Sequence, residues 1–311
     1  MKTEELLKLL DSQISPDRIC HTAQAIHELD QWNSFDKYRQ TADLLAREFR
    51  EARADQVDRF VIPCDGETSF GDWVMPLAWD AQEATLELLD WEGRREMLLA
   101  DYKAVPNGLI RWSAPTEGPR ELPIIFLPDA EKEKNWESAG AKGKFVFTHS
   151  RPRAARRWAA KYGAAGIVSD FSTAPEAFPD RVHWENVWTD LALWGPTKKD
   201  VPVVGFAISP AAGKELEAKL KRWRAPRMVR ASVRAKLYSG STDVITATLA
   251  GEEKPQSRSQ EHHLTTSAKA LSPVRPAHLR RNSRLRLRRL VSQANAPSGS
   301  PESIRSLRSR M

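Results

Sequence analysis

Cysteine is scarce in this chain of 311 residues, which contains only two, Cys20 and Cys64. Two cysteines cannot form the disulfide framework of a small secreted domain, so the sequence indicates a reducing compartment. Long apolar runs are also missing. Residues 1–5 lead into no signal-peptide core, and no stretch approaches the length of a transmembrane helix. We therefore expect a cytoplasmic protein with no membrane partner.

Aromatic residues are absent from residues 257–311, although the preceding chain holds all eleven tryptophans. The same segment has eleven serines, and its arginines outnumber its lysines eleven to one. Such a composition cannot bury enough apolar surface to offset the entropy of ordering the chain. We predict a disordered basic C-terminal tail. Because the change is abrupt, we hypothesise that the reading frame is lost near Gln256 and that the tail is an out-of-frame translation.

Acidic residues are also nearly absent from this tail. Residues 257–311 contain 12 basic and 2 acidic residues, whereas residues 1–256 contain 36 basic and 39 acidic residues. The net charge of +7 therefore arises from the tail, and the body is mildly acidic. Residues 280–289 are rich in arginine and could bind nucleic acid or anionic lipid by charge alone. Such binding would be nonspecific, so we predict no specific nucleic-acid partner.

Several catalytic and metal-binding motifs are missing as well. No Gly-x-Ser-x-Gly sequence is present, which excludes the nucleophile elbow of a serine hydrolase. Residues 140–144 lack both the glycine spacing and the closing Ser or Thr of a phosphate-binding loop. Glu261, His262 and His263 have no third zinc ligand at helical spacing. Four other histidines are interpreted as surface or core residues: His21, His27, His149 and His183.

The best-defined part of the sequence is an ordered series of short apolar strands and two helices. The predicted strands are 144–148, 164–170 and 201–206. The first helix covers 153–162, with alanine and aromatic residues on one face and arginines on the other. Gly163 is expected to end it in a left-handed conformation. Ser209 caps the second helix, which begins at Pro210.

This series, with its Gly-Ala-x-Gly-Ile-Val and Val-Pro-Val-Val strands and its Ser-Pro helix start, resembles the protease-associated domain. That domain is a small α/β module inserted into or appended to many peptidases. The resemblance covers residues 122–236. It implies a module that has no catalytic residues, with peptides or proteins as its partners.

Three helices are predicted before the module, over residues 3–10, 16–29 and 36–52. Ser15 and Ser34 provide the caps of the second and third helices. A strand over residues 57–62 follows. This order of helix and strand, carried by residues 41–49, resembles the start of the catalytic domain of zinc aminopeptidases, where a helix precedes the first edge strand.

The segment after the module, residues 243–251, reads Asp-Val-Ile-Thr-Ala-Thr-Leu-Ala-Gly and is followed by an acidic turn with a proline. It resembles the first central strand of the di-zinc aminopeptidase fold, with Asp243 in place of the family's asparagine. In that family the next strand carries the first zinc-binding histidine, and an Asn-Asp-Asn-x-Ser-Gly segment follows. Neither feature is present here. The resemblance therefore implies zinc in the intact family, but no catalytic, cofactor-binding or metal-binding residue in this chain.

Acidic residues and tryptophans are concentrated between residues 65 and 83. One interpretation is a cleft wall in which Asp65, Glu67, Asp72 and Asp80 lie near a substrate amine. The other is a packed loop with solvated acids, in which the tryptophans cover a domain junction. We favour the packed loop because metal-ligand spacing is absent. Residues 86–90 and 96–102 then predict a hairpin with a longer loop.

Together these features predict an α+β chain in four parts. Residues 1–105 hold the N-terminal helices and strands of an incomplete α/β peptidase domain, and residues 106–236 hold the inserted protease-associated α/β module. Residues 237–256 form the first central strand, and residues 257–311 form the disordered tail. The predicted function is that of the N-terminal portion of a zinc metallo-aminopeptidase-like protein, inactive because it lacks the metal-binding core. The alternative is a non-enzymatic interaction module with a basic tail that binds protein or nucleic acid.

Overall fold

The computed structural model describes residues 3–185, 187–189, 195–222, 226–250 and 258–260. The helices are α1 (Thr3–Gln13), α2 (Pro16–Asp30), α3 (Phe35–Glu51), α4 (Glu133–Glu137), α5 (Pro152–Lys161) and α6 (Pro210–Arg222). The strands are β1 (Gln56–Cys64), β2 (Ser69–Phe70), β3 (Trp73–Val74), β4 (Ala78–Leu89), β5 (Arg95–Asp101), β6 (Arg120–Phe126), β7 (Phe145–Thr148), β8 (Gly166–Ser169), β9 (Val204–Ala207), β10 (Arg227–Tyr238), β11 (Gly240–Leu249) and β12 (Arg258–Gln260). The predicted α+β class is confirmed, and so is the hairpin around the loop between β4 and β5.

A seven-stranded mixed sheet forms the centre of the chain, in the order β5-β4-β10-β6-β7-β8-β9. Strands β6 to β9 run parallel to one another, whereas β10 is antiparallel to both β4 and β6. The four residues of β7, of β8 and of β9 are all buried. Such uninterrupted burial is typical of parallel strands covered on both faces.

The sheet crosses the predicted boundary between residues 105 and 106. Strands β4 and β5 were assigned to the N-terminal part, but β4 pairs with β10 over most of its length. The core is continuous as well, because buried Trp79 of β4 and buried Phe145 of β7 belong to one apolar cluster. That cluster also includes Phe35 of α3. Local sequence patterns do not encode this long-range pairing.

A second, three-stranded sheet contains β1, β11 and β12. In sequence, β1 precedes the strands of the seven-stranded sheet, and β11 and β12 follow them. Strand β1 pairs antiparallel with β11, and β12 pairs with the last residues of β11. Helix α3 covers one face of this sheet through Ala42, Leu45 and Ala46, which pack against Ile245. Cys64, the last residue of β1, lies opposite Gly240, the first residue of β11. The chain therefore leaves this sheet and returns to it at one end.

Helix α5 follows the predicted pattern with one correction. Ala155 and Ala159 are fully buried, and Gly163 has the expected positive φ of 65°. The prediction that the arginines take the solvent face is wrong for Arg156, which is buried and donates from Nη2 to the Val201 carbonyl at 2.7 Å. The connection between β8 and β9 covers that side of the helix. Helical periodicity alone cannot anticipate such a cover.

The predicted tail lies almost entirely outside the described residues. Its described part is β12, which adds to the edge of β11 immediately after the predicted boundary at residue 256. Within the described ranges, every helix is too short or too polar to cross a bilayer.

Candidate functional site

The carboxyl ends of β7 and β8 bring a histidine and an aspartate together. His149 directly follows β7, and Asp170 directly follows β8. Because the two strands are parallel neighbours, both residues lie at the same edge of the sheet. Ligands of open α/β sheets bind outside this edge. His149 and Asp170 are therefore the first candidates for a functional site in this fold.

The His149 imidazole lies between two carboxylates. Its Nδ1 is 2.9 Å and 3.0 Å from the two carboxylate oxygens of Asp170. Its Nε2 is 3.4 Å from Oε2 of Glu217, which lies on α6. The rings of Phe126 and Phe147 meet the imidazole edge-on, with centroids 5.1 Å and 5.5 Å away. These contacts fix the orientation of the ring, and a protonated imidazole would satisfy both carboxylates.

The two carboxylates have different environments. Asp170 is only 8% exposed, and burial raises its pKa while the hydrogen bond with His149 acts in the opposite direction. Glu217 is more accessible, and its hydrogen bond with Lys221 lowers its pKa. Helix α6 approaches Asp170 so closely that a Cβ atom on Gly213 would lie 2.0 Å from Oδ2. Only glycine allows this approach.

A basic cluster borders the same edge, near the first turn of α5. Burial lowers the pKa of His183, and the nearby charges of Arg151, Arg181 and Arg153 act in the same direction. Glu185 lies among these cations and is 5% exposed. Its Oε1 accepts from the Val187 backbone N–H at 3.2 Å.

Glu185 also lies near the first turn of α5, although it comes from a distant part of the chain. Burial raises the pKa of Glu185, whereas the backbone of Arg153, in that first turn, acts to lower it. Oε2 of Glu185 has no hydrogen-bond partner among the described residues. The connection between β8 and β9 thus places its own carboxylate where a helix N-terminus attracts anions.

The contacts of His149 indicate a structural role, because they connect three secondary-structure elements. The His149 ring ties the ends of β7 and β8 to α6, and both ring nitrogens face carboxylates. Over the described ranges, no three His, Cys, Asp or Glu side chains are placed to hold a metal ion.

The four acidic residues of the predicted cleft wall do not converge. Asp65 accepts from the Thr68 hydroxyl at 2.6 Å, and the bonds from Thr68 lower the pKa of Asp65 to about 2. Glu67 pairs with Lys198 at 2.7 Å, and Asp72 is exposed.

The fourth acid, Asp80, accepts from the Tyr238 hydroxyl at 2.7 Å and from the Asp36 backbone N–H at 3.1 Å. Trp79 beside it is fully buried, and its Nε1 donates to the Ser113 carbonyl at 3.0 Å. Because the four acids do not converge, these contacts give no support to the cleft wall. Trp79 is packed as the other interpretation expects, whereas Trp73 is 39% exposed.

The other candidates have plain structural roles or fall outside the described residues. His21 and His27 are exposed on α2, and His183 meets the ring of Phe171 edge-on. Gly140 and Gly143 adopt positive φ in the turn before β7. Residues 261–263 and 280–289 lie outside the described ranges.

Two residues of the site were missed by the sequence interpretation. Asp170 could have been found, because a polar residue directly after a buried strand marks the sheet edge. Glu217 gave no local signal, since its position beside His149 depends on how α6 packs.

No protein-family profile matches this chain. No curated protein sequence matches it either. The solved structures similar to it include a peptidase M28 precursor from Shewanella amazonensis, with 14% identity and a TM-score of 0.47 over 75% of this chain and 53% of that one. An aminopeptidase from an Aneurinibacillus strain has 13% identity and a TM-score of 0.40 over 74% of this chain and 51% of that one.

A third similar structure is BSAP, a zinc aminopeptidase from Bacillus subtilis, with 18% identity and a TM-score of 0.43 over 75% of this chain and 47% of that one. The chain spans about half the length of these proteins.

Proposed function

We propose that this chain is the N-terminal portion of a zinc aminopeptidase-like protein, interrupted by a protease-associated-type module, and that it hydrolyses no peptide by itself. The observation that carries the proposal is the pairing of Cys64 with Gly240. It brings the segments before and after the module into one sheet, as an insertion requires. Of the segments that resemble parts of an aminopeptidase domain, residues 41–49 lie in α3, which packs against β11, and residues 243–249 lie in β11 itself.

The two ends of residues 65–239, a stretch that contains the module, are close in space. Strand β10 carries the chain back from the large sheet, and Ser239 turns it directly into β11. On the other side, β1 ends at Cys64 and the chain passes through β2 and β3 into β4, which pairs with β10. The exit and return strands of the inserted part are therefore neighbours, and residues 65–239 can be regarded as one insertion.

The absence of activity is proposed from the residues themselves. The family's zinc-binding histidine and Asn-Asp segment have no counterpart after β11 in the sequence. The nearest histidines in the sequence, His262 and His263, lie outside the described residues. A dinuclear zinc centre needs carboxylate and imidazole ligands that converge on the metals. The described residues offer no such group.

The first test measures zinc and activity together. Purified full-length chain would be dialysed with zinc, analysed for bound metal, and assayed with aminoacyl anilides. We expect neither stoichiometric zinc nor zinc-dependent release of the anilide. A chelator-sensitive activity with one or two zinc ions per chain would refute the proposal.

The second test concerns the origin of the tail. The gene would be resequenced, and the other two reading frames after codon 256 would be translated. A histidine-bearing strand followed by an Asn-Asp-rich turn in one frame supports an interrupted aminopeptidase. If neither frame encodes them, the chain is better described as a non-enzymatic interaction module.

A further inference from the structure

Arg111 is a buried cation in the segment that follows the 3₁₀ helix Pro106–Gly108. The backbone on both sides of it is attached to the edge of the large sheet. The Ile110 N–H donates to the Gly205 carbonyl, and the Ala114 N–H donates to the Val203 carbonyl, both at 3.0 Å. The Arg111 side chain reaches the beginning of α3 and is only 3% exposed.

Aromatic rings surround the Arg111 guanidinium. Its Cζ lies 4.1 Å from the ring centroid of Trp112, 5.0 Å from that of Tyr38 and 5.2 Å from that of Phe35. Trp112 has a positive φ of 64°, and its Nε1 donates to the Leu77 carbonyl at 2.9 Å. The rings attract the cation, but they provide no acceptor for N–H groups that point outward in the guanidinium plane.

Two donors of this guanidinium remain unsatisfied. Nε and Nη1 of Arg111 are buried and have no hydrogen-bond partner in the part of the chain that the structure describes. Burial lowers the pKa of Arg111, and Tyr38, Cys64 and Asp30 counteract this effect only through space. Cys64 is an uncharged thiol at neutral pH, because burial raises its pKa to about 12. A buried charge without a hydrogen-bonded partner is strongly unfavourable.

The beginning of α3 lies beside the Arg111 guanidinium, but its own charge is already partly compensated. Phe35 and Tyr38 lie in the first turn of this seventeen-residue helix. The N-terminal end of a helix carries partial positive charge, and here the Asp36 backbone N–H donates to the Asp80 carboxylate at 3.1 Å. The need for an anion therefore comes from the unpaired donors of Arg111, which require an acceptor.

From these contacts we infer that Arg111 binds a small monovalent anion, such as chloride or formate, at the junction between α3 and residues 109–114. The anion accepts from the guanidinium in its plane, since the aromatic rings lie around the cation. A single small anion supplies both the missing charge and the missing acceptor. It would join the N-terminal helices to the large sheet.

Thermal unfolding of the full-length chain at constant ionic strength tests this inference. Potassium isethionate, whose anion is bulky, would be replaced stepwise by chloride or formate. We expect Tm to rise with saturation, by about 3 °C when the anion reaches about ten times its dissociation constant. Arg111→Met should abolish the rise, and Arg39→Met, on the exposed side of α3, should keep it. A rise without saturation, no rise, or an equal rise in Arg111→Met would overturn the inference.

If Arg111→Met does not fold, the inference can still be tested by locating the bound anion in crystals of the wild-type chain. Wild-type crystals would be grown in bromide and measured at the bromine absorption edge. We expect an anomalous peak in contact with Nε or Nη1 of Arg111. Bromide found at other positions alone, as an adventitious ion only, would contradict the assignment.

Discussion

Cys64 lies directly opposite Gly240 in the antiparallel pairing of β1 with β11. Everything between them, residues 65–239, leaves the small sheet and returns to it at this one pair. A Cβ atom on Gly240 would lie 2.6 Å from Cβ of Ala78, the first residue of β4. The pair therefore marks a point where the three-stranded sheet contacts the seven-stranded sheet, and glycine is required there because β4 is so close.

The first prediction concerns the close approach of α6 to Asp170. Gly213→Ala would place a methyl group 2.0 Å from Oδ2 of Asp170. We expect a loss of about 1–3 kcal/mol in the free energy of unfolding, measured in urea, because overpacking forces the helix away. Lys214→Ala, on the exposed side of α6, should change little. Alanine normally stabilises a helix relative to glycine, so a stabilised Gly213→Ala would contradict the reported contact.

The second prediction concerns the link between the small sheet and α3. Arg59 of β1 bonds to Asp243 of β11 at 2.6 Å and to Asp43 of α3 at 2.5 Å. The Asp243 side chain is 4% exposed, so Arg59→Met would leave its charge buried without this partner. We expect a loss on the order of 2 kcal/mol in urea unfolding.

A double-mutant cycle separates this ion pair from packing effects. Asp243→Asn should cost less stability in the Arg59→Met background than in the wild type, because the isolated charge is removed. Arg47→Met, which breaks an exposed 3.9 Å pair with Glu51, should cost less than about 1 kcal/mol. Additive effects of the Arg59 and Asp243 changes would show that the two side chains are not coupled.

The third prediction is a pH dependence of stability that arises from Glu185. Burial raises its pKa, so the folded chain binds this proton more tightly than the unfolded chain does. The contribution to stability is fully present below the ordinary pKa of glutamate. It is lost as pH rises through the higher pKa of the folded state. Glu185→Gln stays uncharged, and its unfolding free energy should fall less between pH 4 and pH 8.

Glu176→Gln is the matched control for this measurement, because Glu176 is exposed in the same connection. It should reproduce the wild-type pH profile in urea unfolding. Burial raises the pKa of Asp170 too. Its contribution to the pH dependence of stability has the same sign as that of Glu185, and it is present in the wild type and in both variants. If Glu185→Gln kept the wild-type profile, the carboxylate at the start of α5 would not be the titrating group.

Local signals were sufficient to predict the helices α1, α2, α3, α5 and α6. Ser15, Ser34 and Ser209 accept from the backbone N–H groups of Arg18, Lys37 and Ala212, as their positions before helices predict. Leu216 on the predicted inner face of α6 is fully buried. These features depend on a few neighbouring residues, which is why the sequence contains them.

The features that the sequence did not predict depend on packing between residues far apart in the chain. Strand β4 contributes Leu86 and Leu88 to the large core because it pairs with β10, more than a hundred residues away. Arg156 is buried because the connection after β8 covers it. The cluster around His149 required α6 to fold back over two strand ends. None of these contacts has a local sequence pattern.

The meeting of Cys64 and Gly240 also constrains the order in which the chain folds. Closing a flexible loop over residues 65–239 would cost about 5 kcal/mol of chain entropy, given the logarithmic dependence on loop length. Once the large sheet has formed, the pairing of β4 with β10 holds the two ends of residues 65–239 together. Little further entropy is then lost when β1 pairs with β11. Helix α3 can pack against Ile245 of β11 only after β11 has paired with β1. The small sheet, and the packing of α3 on it, are therefore expected to form after the large sheet.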